Sequence, residues 1–216
     1  MPIEVRNKIY GYVFGDNANY SIKPKKAKKK FRNVAEPGNN LTTTYTTLSQ
    51  VSRQFYVDIT GSGLLYTLAN FHFTSPYTMH NYLSVINPYH HLNFRTITFR
   101  VRITSTTSTI PTRALVTLAS LPCLQHLTIE FDVDKYLCTL ESSRNVKRRM
   151  YRVKDKVLAR LQDAKWAVLG GKLRSFGVEM VVSPKVVDRR FHTYHDREDA
   201  RVTELEGRIR GVVLRK

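Results

Sequence analysis

Four short segments in which apolar and polar residues alternate constrain this chain more than any other feature. Their apolar members are Phe71 and Phe73, then Ile97, Phe99, Val101 and Ile103, then Leu127, Ile129, Phe131 and Val133, and last Phe176, Val178, Met180 and Val182. A period of two is typical of strands that bury one face. Because a helical pattern separates each segment from the next, every connection is long enough for a crossover, and the strands are predicted to be parallel.

The alternation also predicts how the sheet is covered. Parallel strands with both faces buried are continuous apolar runs, whereas these strands carry a polar residue at every second position, so we expect helices on one face only. The fold class that follows is α/β, a mainly parallel sheet in two layers, similar to an irregular leucine-rich-repeat solenoid. The open face would then contact a protein partner through His72, Thr98, Arg100, Thr128 and Glu130.

Helical patterns surround these strands. Short helices are predicted over residues 2–14 and 64–68, a longer one over 48–59, and connecting helices over 76–86, around 115–121 and over 143–169, where Gly170 and Gly171 would end the helix. The lysine-rich residues 16–40 are predicted to form a mobile loop without fixed structure. The predicted organisation is a helical segment over 1–68, a sheet domain over 69–184 and a charged C-terminal helix or tail over 185–216.

The first ten residues, Met1-Pro2-Ile3-Glu4-Val5-Arg6-Asn7-Lys8-Ile9-Tyr10, resemble the Leu-Pro-x-Glu-Ile-Arg-Asn-x-Ile-Tyr opening of fungal F-box-like proteins. The segments 48–56 and 70–73 are similar to that family's second helix and following strand. The resemblance implies a non-enzymatic adaptor that docks on the Skp-type subunit of a cullin ubiquitin ligase through Pro2, Ile3, Val5, Ile9 and Val13. In the alternative interpretation, these helices only cap the edge of the sheet.

The formal net charge of +18 is concentrated in two stretches. Lys25, Lys26, Lys28, Lys29 and Lys30 resemble a nuclear import signal, in which an extended chain presents successive ammonium groups, and they predict a nuclear rather than a cytoplasmic protein. On the long helix Arg148, Arg152, Lys156 and Arg160 recur every four residues as a basic stripe, which either binds an anionic partner or is held by packing of the adjoining apolar face. A nuclear protein that binds nucleic acid or chromatin is therefore the alternative function.

Motifs for catalysis are missing from the sequence, so we predict no enzyme, no cofactor and no metal site. There is no phosphate-binding glycine loop and no paired nucleophile and histidine at a recognisable spacing. Glu130, Asp132 and Asp134 share one strand face, as ligands of a hard cation or as ordinary solvent-facing acids. Cys123 and Cys138 are expected to be reduced and structural, and the absence of a signal peptide or long apolar run predicts an intracellular protein.

Overall fold

The computed structural model describes residues 3–14, 19–24, 31–33, 57, 61, 63–103, 110–132, 146–181 and 200–214. They form a sheet of six strands, which are β1 (Asn19–Pro24), β2 (Phe31–Asn33), β3 (Asn70–Phe73), β4 (Thr96–Arg102), β5 (His126–Asp132) and β6 (Ser175–Val181). The strand order is β2-β1-β3-β4-β5-β6. All neighbouring pairs are parallel except β1 and β2, so the predicted α/β class with a mainly parallel sheet is confirmed.

Helices fill most of the connections. They are α1 (Ile3–Phe14), α2 (Leu64–Leu68), α3 (Pro76–Leu83), α4 (Pro88–His91), α5 (Thr112–Ala119), α6 (Val146–Asp163), a 3₁₀ helix (Trp166–Leu169) and α7 (Ala200–Val213). At the start of α3 the Ser75 hydroxyl accepts a hydrogen bond from the Thr78 backbone N–H at 3.0 Å, and Pro76 occupies the first turn. Both features are those that start helices, which explains why this one was predictable.

The core lies between the apolar face of the sheet and these helices. Phe71, Phe99 and Phe131 on successive parallel strands are fully buried, as are Met79 on α3 and Leu115 on α5. Burying a side chain of this size stabilises the fold by roughly 1.5–3 kcal/mol, so this layer holds the strands in register. α7 belongs to the same core, because its Ile209 and Val213 are buried.

The prediction of a structureless loop over residues 16–40 is wrong for β1 and β2. Ile22 of β1 is buried in the core, and β1 pairs with β3 from Asn19↔Asn70 to Ile22↔Phe73, across the predicted boundary at residue 68. The lysines and asparagines around this short apolar segment masked its strand character. Its pairing partner lies far along the chain, and local propensity cannot report such a contact.

The long helix predicted over 143–169 ends earlier, at Asp163. Lys165 leaves the helical conformation with φ −81° and ψ 67°, and the chain resumes as the 3₁₀ helix. The buried Trp166 indole N–H donates to the Leu161 carbonyl at 2.6 Å, which turns the chain back against α6. Gly170, which was predicted to end the long helix, instead ends the 3₁₀ helix in the left-handed conformation.

Several predictions concern residues outside the described ranges. The second helix over 48–59 is described at only one position, and the five lysines between Pro24 and Phe31 are not described. Pro24 and Phe31 themselves are register partners of the β1–β2 pair. Within the described ranges, none of the helices is both long and apolar enough to cross a membrane.

Candidate functional site on the polar sheet face

A cluster of three side chains from three strands occupies the middle of the polar sheet face. Arg100 on β4 and Glu130 on β5 are register partners, and His72 on β3 is the register partner of Thr98 one row away. Alternation along each strand places all of them on the face opposite the core. We refer to His72, Arg100 and Glu130 as the polar cluster.

One carboxylate oxygen holds the polar cluster together. Glu130 Oε2 accepts hydrogen bonds from His72 Nε2 at 2.8 Å, from Arg100 Nη2 at 2.8 Å and from Arg100 Nε at 3.0 Å. The carboxylate reaches diagonally over β4 to meet the histidine, so the cluster ties β3 to β5 although these strands are not neighbours. Because an ionised carboxylate only accepts, the His72 Nε2 atom carries the proton in this contact.

Burial and charge act on Glu130 in opposite directions. Its side chain is 14% exposed, and this burial by itself raises the pKa of the carboxyl. The hydrogen bonds and charges of His72 and Arg100 favour the ionised form, and together they bring the pKa of Glu130 below its ordinary value. The carboxylate is therefore ionised at neutral pH and stabilises the cluster in that form.

The other ring nitrogen of His72 is an unusual feature of this face. His72 is 7% exposed, and its Nδ1 atom is buried without a hydrogen-bond partner among the described residues. In a neutral imidazole whose Nε2–H donates to a carboxylate, the second nitrogen is an acceptor. In the described part of the chain no three His, Cys, Asp or Glu side chains lie close enough together to hold a metal ion.

The polar face is less open than the alternation predicts. Thr98 is 5% exposed and donates to Asn70 Oδ1 at 3.2 Å, and His72 is turned towards Glu130. These two side chains are buried because they form hydrogen bonds with neighbouring side chains on the sheet surface. The prediction that they are accessible to a partner is therefore wrong. Arg100, Thr128 and Glu130 remain at least partly exposed, and the binding of a partner by this face stays a prediction.

A second ion pair continues the cluster towards the ends of the strands. Arg102 Nε lies 3.6 Å from Asp132 Oδ2, and these residues are register partners on β4 and β5. Of the three acids that could have served as cation ligands, Glu130 and Asp132 each face an arginine, and Asp134 lies outside the described residues. Sequence alternation identified the face, but the pairing of acid with base depends on the register between strands.

On α1 the structure describes the side chains of only part of the predicted docking set. Val5 and Ile9 are 45% and 41% exposed, whereas Tyr10 is buried in the core. Tyr12, which was not part of the predicted docking set, is also exposed and follows Val5 and Ile9 at helical spacing. Pro2 lies outside the described residues, and the structure does not describe the side chains of Ile3 and Val13.

The basic stripe on α6 does not end in a solvent-exposed arginine. Arg160 is 5% exposed, its Nη1 donates to the Lys156 carbonyl at 3.2 Å, and burial lowers the pKa of its guanidinium. It lies beside the buried Val157 and Leu161, because a spacing of four winds slowly around a helix towards the apolar face. The side chains of Arg148 and Arg152 are not among those the structure describes, so anion binding by them, and nucleic-acid binding by the chain, stay predictions.

Other residues singled out in the sequence have structural contacts. His91 Nε2 donates to the Leu83 carbonyl at 2.8 Å, and the His90 ring stacks on Tyr66. Burial first, and then the neighbouring His91, lowers the pKa of His90. Cys123, expected to be reduced and structural, is a free thiol in an exposed position.

No protein-family model matches this chain, and neither the curated proteins nor the solved structures include one that is detectably similar to it.

Proposed function

We propose that this chain is a non-enzymatic interaction adaptor, similar to F-box-like proteins, and that α1 docks on the Skp-type subunit of a cullin ubiquitin ligase. The partly exposed region of the polar sheet face, around Arg100, Thr128 and Glu130, would hold the recruited protein. One observation carries the proposal: α1 keeps an apolar stripe of Val5, Ile9 and Tyr12 at the surface.

The two sides of α1 have different tasks in this proposal. Tyr10 is buried in the core, so it holds the helix against the domain. Val5, Ile9 and Tyr12 follow one another at steps of four and three, which is the pattern by which a helix enters an apolar groove. Because Val5 and Ile9 are already about half buried, complete burial would stabilise a complex by about 1 kcal/mol for each.

The proposal is tested by recovering a purified Skp-type subunit on the immobilised chain. Ile9→Asp should abolish recovery, because it places a charge in the apolar contact. Lys8→Asp is the matched control, since it introduces the same side chain at an exposed position of α1 without removing an apolar group. The proposal fails if the wild-type chain recovers no Skp-type subunit, or if Ile9→Asp recovers as much as Lys8→Asp.

A further inference from the structure

The edge strand β6 ends the sheet with backbone groups that no described residue pairs. In a parallel ladder, alternate residues of a strand direct both the N–H and the C=O to the same neighbour. Ser175 bonds towards β5, since its N–H donates to the Gln125 carbonyl at 3.0 Å. Gly177 and Glu179 share that direction by alternation, so Phe176, Val178 and Met180 direct their backbone groups outward.

A contact from α7 supports this assignment. The Arg210 Nε atom donates to the Phe176 carbonyl at 2.9 Å, so α7 covers the open side of β6 at that end of the strand. Further along, the outward N–H and C=O groups of Val178 and Met180 form no hydrogen bond with any described residue. Among the described residues, the outer edge is therefore capped by a side chain at its beginning and left uncovered over its second half.

The side chains along the open half are also incompletely buried. Val178 and Met180 are half-buried, whereas their register partners on β5, Ile129 and Phe131, are fully buried. A further strand beside β6 would cover the apolar sides of both residues and satisfy their backbone groups. Proteins usually protect such an edge with charge, proline or a covering segment. Here α7, through Arg210, covers the beginning of β6, and Glu179 places one charge on the strand itself.

The charges at this edge indicate which partner fits. Arg174, directly before β6, is exposed and forms no ion pair with a described residue. Arg210 is half exposed, and Glu206 is its ion-pair partner at 2.8 Å. The capped end of the edge thus carries more positive than negative charge, and it complements an acidic residue at the end of an incoming strand.

We propose that β6 binds an extended segment of another protein by strand addition, with alternate apolar residues beside Val178 and Met180 and an acidic residue beside Arg174 and Arg210. The main chain of the ligand would supply most of the hydrogen bonds, and its apolar residues and acidic end would supply selectivity. The inference does not depend on α1 docking, since the two surfaces lie on different elements and share no residue.

Hydrogen exchange on the full chain tests the proposal directly. The probe is the peptide acetyl-Asp-Glu-Thr-Val-Thr-Val-Thr-Val-amide, and the control is the same peptide with proline at its two central positions. The amides of Val178 and Met180 should exchange rapidly in the free protein and become protected with the probe, whereas those of Gly177 and Glu179 should be protected throughout. No gain of protection at a peptide concentration of about 1 mM, the weak limit of such contacts, overturns the proposal.

Variants separate backbone pairing from side-chain contact. Met180→Pro removes an outward N–H that the β5–β6 ladder does not use, so the fold should survive, and circular dichroism checks this. It should weaken peptide binding by about tenfold relative to Met180→Ala, which keeps the N–H. Equal affinity of the two variants contradicts strand addition.

Two further outcomes decide the partner. Arg174→Glu should weaken the binding of the acidic probe and leave the binding of a peptide that begins with Lys-Lys unchanged. An equal loss of affinity for both peptides excludes the charge argument. If the free chain is a dimer in which the amides of Val178 and Met180 are already protected, a second copy of this chain covers the edge and the proposal of a different partner fails.

Discussion

Replacing Glu130 with glutamine tests whether the polar cluster stabilises the fold. The substitution keeps the shape of the side chain and removes its charge, while His72 and Arg100 stay in place. The amide oxygen of the new side chain would take the place of Oε2 and accept hydrogen bonds from both His72 and Arg100, but it carries no charge. The hydrogen bonds of 2.8 Å from His72 and Arg100 therefore lose their charged acceptor.

The magnitude follows from the exposure of each partner. A hydrogen bond to a charged group contributes roughly 1.5–3 kcal/mol, and the Glu130 side chain is only 14% exposed. Arg100 is 35% exposed and can turn to water, so its contacts belong at the low end of that range. His72 cannot turn to water, because its side chain is 9% exposed. We therefore expect Glu130→Gln to lower the free energy of unfolding by about 2 kcal/mol.

The assay is urea unfolding followed by the fluorescence of Trp166, the only tryptophan, which is buried against Phe176. Glu179→Gln is the matched control. Glu179 is the register partner of Glu130 on β6 and is exposed, so its replacement should change stability by less than about 0.5 kcal/mol. The reasoning is refuted if the two variants unfold at the same urea concentration with equal slopes.

Three further predictions concern the pH dependence of stability, two glycines and the lysine-rich segment. Because the folded-state pKa of Glu130 is depressed, the carboxylate stabilises the fold above its unfolded-state pKa, and this stability is lost as the pH falls through the folded-state pKa. The difference in unfolding free energy between wild type and Glu130→Gln should therefore shrink in that acidic window, and a difference that stays constant from pH 7 into the window would contradict the prediction. Gly63→Ala should destabilise the fold by about 1–3 kcal/mol, since Gly63 has φ +72° and a Cβ there collides with the Asn93 side-chain amide. Gly207→Ala on α7, with open space around it, should instead stabilise the fold by about 0.5–1 kcal/mol; melting temperatures that shift in the same direction for both variants would refute the prediction. Replacing the five lysines between residues 25 and 30 with Ser should abolish nuclear accumulation of a fluorescent fusion, and unchanged accumulation would remove the import assignment.

The central strands were predictable because their signal is local. In β5 every second residue from Leu127 to Phe131 is buried and each residue between is half exposed, as the alternation requires. The helices that cross between these strands carry their own start signals, such as Ser75 and Pro76 before α3. Period and capping are properties of neighbouring residues, so a sequence read in isolation contains them.

The remaining features depend on residues that are distant in sequence. β1 is a strand because β3 pairs with it, and α6 ends early because the Trp166 indole N–H donates a hydrogen bond to the Leu161 carbonyl. Likewise, no spacing in the sequence indicates that Glu130 reaches across β4 to His72. That contact depends on the relative register of three strands, which crossover lengths do not fix.

The sequence by itself determined the class of the fold, the direction of its central strands and which residues of each strand enter the core, because hydrophobic periodicity acts over a few residues. Only the tertiary structure decided which polar residues are accessible and which backbone groups of β6 no described residue pairs. Thr98 is polar yet buried, and Val178 is apolar yet half exposed. Exposure is set by the neighbours that folding brings beside a residue, and a strand at the edge has a neighbour on one side only.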